Sequence, residues 1–208
     1  MTVKDEAWRR DPLSYRGRVE MRPLESRVLR GNPLGDPHVR EVPVYLPPDV
    51  GERERLPVVF LLAGLTGRGQ KDLETHPCDP GGVTRNDRLV AAREAPRAIL
   101  VAPDCFTALG GSQYVNSTAV GAYEDHFVDE LVPFVDRHYP TLPGRRALVG
   151  KSSGGFGALH LGMRHPKLFP AIVSLSGDCG FEQCFGPELL AGLRALQAFD
   201  GDPARFLA

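Results

Sequence analysis

A short apolar run, Arg146-Ala-Leu-Val, leads into Gly150-Lys-Ser152-Ser-Gly154, and a stretch of small residues follows at once. A run of that length bounded by glycine reads as a buried strand. Residues 154 to 165 read as a helix in which Gly154, Gly155, Gly157, Ala158 and Gly162 allow close packing on a sheet. Two glycines flanking a serine between strand and helix restrict the chain severely. The turn is so tight that side chains at 150 and 154 would collide. Ser152 is forced into a strained backbone conformation with its hydroxyl held above the carboxyl edge of the sheet. The helix N-terminus behind it favours developing negative charge. A turn of this kind needs a parallel sheet to carry it.

The rest of the chain supplies one. Val58-Val-Phe-Leu-Leu, Ala98-Ile-Leu-Val-Ala and Ala171-Ile-Val-Ser-Leu are further short apolar runs followed by Gly, Pro or Asp. Helical patterns alternate with them over residues 84 to 94 and 122 to 138. In the second pattern Tyr123, Phe127, Leu131, Phe134 and Val135 share a face, and Pro133 is expected to kink it. Alternating strand and helix predicts an α/β fold, a mostly parallel sheet with helices on both faces. The first fifty residues hold seven prolines and alternating stretches such as Val39-Arg-Glu-Val-Pro-Val-Tyr. These suit antiparallel strands at a sheet edge. At 208 residues one domain is expected over 1–208, with edge strands in 1–50, a core in 57–180 and a helical tail in 181–208.

Composition narrows the function. With a net charge of −1, nothing steers the protein to nucleic acid or an anionic membrane. The longest apolar run, Pro57 to Leu65, is half the length that spans a bilayer. The charged start, Met1 to Glu6, shows no secretory apolar region, so a cytoplasmic location is the expectation. Cys78, Cys105, Cys179 and Cys184 lack metal-ligand spacing and read as reduced thiols; no metal and no cofactor is expected. Gly150-Lys151-Ser152 resembles the end of a phosphate-binding loop, but the glycine required five residues earlier is Arg145, so that reading is rejected.

A second motif, Phe60-Leu-Leu-Ala-Gly64-Leu65-Thr66-Gly67, is a strand followed by a glycine-flanked loop. Behind a serine turn of this type, such a loop supplies one backbone N–H to an oxyanion hole, and the residue after the serine supplies the other. The donors are then the amides of Leu65 and Ser153. A plain turn after a strand is the competing reading of the loop.

From about Val42 to Gly180 the chain resembles the putative-esterase branch of the α/β hydrolases. That branch holds S-formylglutathione hydrolase (esterase D), the enterochelin-type esterases and the antigen 85 mycolyltransferases. Matching segments run in order: Leu62-Ala-Gly-Leu-Thr, Val101-Ala-Pro-Asp, Gly110-Gly-Ser-Gln-Tyr-Val-Asn, Tyr123-Glu-Asp, the serine turn, and His165-Pro-Lys-Leu-Phe with Ser174-Leu-Ser-Gly. The resemblance implies hydrolysis of a small carboxylic ester or thioester through an acyl intermediate on Ser152. It also implies that Gln113, Tyr114 and Asn116 line the substrate pocket. A non-catalytic scaffold and an acyltransferase using the same serine are the alternatives.

The family's triad continues from serine to an acid and then a histidine on later loops. After Ser152 the only histidines are His160 and His165, both on the helix that leaves the turn. Asp178, just past Ser174-Leu-Ser, is the candidate acid, with a turn cap as its competing reading. His76 could substitute as base or be an exposed loop histidine. His38, His126 and His138 read as surface residues. The expectation is therefore a fold lacking its C-terminal strands, with apolar sheet surface that favours association into homo-oligomers.

Overall fold

The computed structural model describes residues 15–76 and 78–207. The N-terminal segment holding Met1 to Glu6 and Pro12, together with Pro77 and Ala208, lies outside the described residues. Six strands form one sheet: β1 (Arg18–Glu25), β2 (Val39–Leu46), β3 (Leu56–Leu62), β4 (Ile99–Val101), β5 (Thr141–Lys151) and β6 (Ala171–Leu175). Their order is β1-β2-β4-β3-β5-β6. The pairs β4–β3, β3–β5 and β5–β6 are parallel, whereas β1–β2 and β2–β4 are antiparallel. The expected antiparallel strands are thus present, but β2 lies second from the edge. Pro43 is tolerated there because the ladder to β4 begins one residue later, at Val44.

Strand alternation divides the core into two. Val58, Phe60 and Leu62 point to one side with Ile99, Val101 and Leu148. Against them pack Phe127, Leu131 and Val135 from residues 123–138 (α2), and Ala158 and Leu161 from α3 (Ser153–Arg164). Tyr45, Leu100, Val59 and Leu61 face the other side, toward Val83 of α1 (Gly82–Ala91). Helices therefore cover both faces, as the alternating pattern predicts. Tyr45 also ties that side together by donating to Asp87 of α1 at 2.7 Å. Leu161 is fully buried; its truncation to alanine carries a cost of about 2–5 kcal/mol.

In α2 the helix does not simply kink. A wide π segment, His126–Leu131, separates Tyr123–Asp125 from Val132–His138, and the amide of Val132 reaches back to Phe127 O. Pro133 follows directly. In a regular helix its ring would crowd the carbonyl four residues back, and widening the preceding turn relieves that clash.

The chain divides into two compact units, one ending at Gly177 and the other beginning at Asp178. The second unit contains α4 (Phe181–Leu196), a 3-10 turn (Gln197–Phe199) and α5 (Pro203–Leu207). It contains no strand among the described residues. Cys184 Sγ contacts Cys179 O, and all four cysteines are free thiols.

Candidate active site

The site is built where β3, β5 and β6 end together. Ser152 has φ +54° and ψ −123°, a backbone region costly for any residue with a side chain. Its neighbours show why this turn requires glycine. A Cβ on Gly150 would land on Gly154 O, and one on Gly154 would land on Leu62 O. Both are backbone atoms that cannot swing aside. The Ser152 amide donates to Leu175 O at 3.0 Å, so the last residue of β6 helps hold the turn. Ser152 O in turn accepts from Phe156 N at 3.0 Å, the first turn of α3. The amide of Ser153 lies in the first turn of that helix, where backbone N–H groups have no partner within the helix and carry the positive end of its dipole.

The loop after β3 runs alongside. A Cβ on Gly64 would meet Lys151 O at 3.4 Å and Ser152 Cβ at 3.8 Å, which places this loop directly against the serine turn. Gly64 O accepts from Gly67 N at 3.0 Å. In a trans peptide the next N–H points opposite to that carbonyl, which fixes the direction of the Leu65 amide. A cleft of about 540 Å³ opens here, lined by Ala63, Gly64, Thr66 and Gly67 of the loop together with Ser152 and Leu175.

The three residues expected to line the pocket do not line this cleft. Tyr114 is 2% exposed, and its hydroxyl donates to Ala63 O at 3.0 Å. Asn116 is exposed and exchanges two hydrogen bonds with Asp125. Gln113 accepts at Oε1 from Ser153 Oγ at 2.9 Å. All three are occupied in bracing contacts, and sequence position alone, in a loop near the catalytic edge, does not reveal which way such side chains turn.

Among the described residues no histidine lines the cleft. His160 Nε2 and His165 Nε2 lie 2.9 and 2.8 Å from Glu124 carboxylate oxygens, joined by Arg164 Nε at 2.8 Å. Burial works to raise the Glu124 carboxyl, but hydrogen bonds from Arg164, His160 and His165 outweigh it and hold it at about 2. Both histidines after Ser152 thus anchor α3 to α2. His76 is an exposed loop residue, with Nδ1 accepting from the amides of Cys78 and Asp79, each at 3.2 Å. His138 Nδ1 contacts Phe134 O at 2.8 Å, and His38 lies 3.8 Å from Glu25.

His126 corrects the surface assignment. It is 1% exposed and sits 3.2 Å from Glu130, a carboxylate that also accepts from Ser26 Oγ and the amides of Arg27 and Val28. Those amides arrive from the loop after β1, a hundred residues away, which no local pattern announces. Asp178 opens the second unit. Among the described residues no group of three or more His, Cys, Asp or Glu side chains could hold a metal, and no helix is long and apolar enough to cross a membrane.

A mostly parallel sheet covered on both faces, with a strand–serine–helix turn at its carboxyl edge, defines an α/β-hydrolase fold. Within that class the chain belongs to the esterase family described as "Putative esterase", whose profile matches residues 37–185. Among solved structures it is similar to a ferulic acid esterase at 27% identity and a TM-score of 0.63, covering 79% of this chain and 60% of that one. A ferulic acid esterase of the anaerobic fungus Anaeromyces mucronatus matches at 20% identity and 0.61, over 81% and 62% of the two chains. An S-formylglutathione hydrolase from Agrobacterium tumefaciens matches at 20% and 0.61, over 76% and 57%. The chain therefore spans about 60% of the length of these relatives.

Proposed function

We propose that Ser152 is the attacking residue of a serine hydrolase acting on small carboxylic esters or thioesters. The observation that carries this reading is the backbone of Ser152, held at positive φ between two glycines that accept no side chain. A fold sustains such strain where the residue it presents has work to do. In the reaction the Ser152 hydroxyl oxygen bonds to the carbonyl carbon while its proton passes to a base. The carbonyl oxygen becomes an oxyanion held by the Leu65 and Ser153 amides. Collapse breaks the bond to the leaving alcohol or thiol, which takes up the proton and leaves an acyl group on Ser152. Water then attacks the acyl carbon, releasing a carboxylic acid and restoring the serine.

One observation favours a second reading, a ligand-binding hydrolase scaffold without turnover. None of the six histidines lines the cleft. The two readings separate on incubation with an activated aryl acetate followed by mass spectrometry. A serine that reacts but deacylates slowly, for want of a base, accumulates an acetyl group on Ser152, and Ser152→Ala carries none. A chain that turns over releases the aryl alcohol continuously, whereas one that stays unmodified and releases none after prolonged incubation is a scaffold.

A further inference from the structure

We infer that the loop Gly110–Tyr114 is a clamp that aims both donors of the oxyanion hole, with Tyr114 and Gln113 as positioning residues. The inference rests on the hydrolase reading of Ser152 and gives roles to side chains that reading leaves unused. An oxyanion hole made of backbone amides cannot be steered by its own side chains; its aim is set by whatever fixes the peptide planes on either side. In the loop after β3, three successive carbonyls are held, one from within the loop and two from outside it. Ala63 O accepts from the Tyr114 hydroxyl at 3.0 Å, Gly64 O from Gly67 N at 3.0 Å, and Leu65 O from Gly111 N at 2.6 Å. Two of these three donors come from residues 110–114.

The same loop reaches the second donor. Ser153 is completely buried, and its hydroxyl donates to Gln113 Oε1 at 2.9 Å. Gln113 and Tyr114 are consecutive residues that both adopt φ +58°, the left-handed region that ordinary side chains avoid. That conformation sends the two side chains to different targets, one to the start of α3 and one to the loop after β3. The Tyr114 ring is seated against α3 at Gly157, where a Cβ would overlap the ring, and edge-on to Phe127 with centroids 6.2 Å apart. The hydroxyl is therefore delivered to Ala63 from a rigid base. The β3–β5 ladder, which pairs Leu62 with Gly150, sets the two elements side by side, and this loop adds a brace that reaches the residues flanking both donors.

The test measures the reaction of the full chain with a fluorophosphonate across reagent concentrations, separating the maximal labelling rate from the half-saturating concentration. Tyr114→Phe removes only the oxygen that holds Ala63, and Ser153→Ala removes the hydroxyl held by Gln113 but keeps the donor amide. Each variant is expected to label roughly ten- to a hundredfold more slowly at saturation, the scale on which a misaimed donor costs rate. Half-saturation should stay within about twofold of wild type, because reagent binding does not use the oxyanion geometry. A melting curve for each variant reports folding, so a failure of one leaves the other to decide. Folded variants that label at the wild-type rate overturn the clamp while leaving Ser152 as nucleophile. A wild-type chain that does not label overturns both.

Discussion

Ser152 occupies a conformation that costs about 1–3 kcal/mol, and the cost is sustained by contacts that only glycine at 150 and 154 permits. The donors proposed opposite it are the Leu65 and Ser153 amides, so side-chain truncation and donor deletion should separate cleanly. Leu65→Ala is expected to keep most reactivity, because the 42%-exposed side chain is not the donor. Leu65→Pro deletes the N–H and should cost about 3 kcal/mol of transition-state stabilisation, roughly a hundredfold in rate. Rates for both variants, with melting curves to confirm folding, check this; equal rates in folded proteins would place the donor elsewhere. At this scale the sequence was most readable where sterics are local. The demand for glycine at 150 and 154 follows from turn geometry, so the turn that presents Ser152 could be read from the five residues 150–154 with the strand before them and the helix after. The destinations of Tyr114, Asn116 and His126 depend on partners at Ala63, Asp125 and the loop at 26–28, and spacing along the chain carries no trace of them.

Between elements, Glu124 is the pin that joins α2 to α3. Its carboxylate is held at about 2 against an ordinary value of 4.5, so the folded state binds the proton more weakly than the unfolded chain does. The stability it contributes is fully present above about pH 4.5 and is lost as the pH falls toward 2. Thermal midpoints measured across that window should fall steeply for wild type and much less for Glu124→Gln, which should already be the less stable protein at pH 7. Parallel slopes for the two would show that the pin does not govern acid stability. The elements themselves were legible because strands and helices declare their period. The helix expected over 154 to 165 forms over Ser153–Arg164, and that expected over 84 to 94 forms over Gly82–Ala91. The π segment at His126–Leu131 was not legible, because Pro133 signals a disturbance without saying whether the helix bends or widens.

For the first unit as a whole, the sheet ends on β6, which pairs with β5 and with no other strand among the described residues. Ile172, Val173 and Leu175 on it are 36%, 44% and 53% exposed. An apolar strand with an open edge is a template for pairing. Sedimentation of the 208-residue chain should therefore show association that rises with concentration, and Val173→Lys should weaken it; a monomer at all concentrations would contradict this. The alternation of apolar runs and helices was enough to foresee the two-faced sheet. The division at Gly177 was not, because it follows from how segments cluster in space.

The account turns on Ser152 being a chemically activated residue, and covalent labelling tests that most directly. The full chain and Ser152→Ala are exposed to a fluorophosphonate, digested, and the modified residue is mapped. The account predicts phosphonylation of wild type on Ser152 and none of the variant. Modification that persists in Ser152→Ala, or that maps to Ser153, would contradict it.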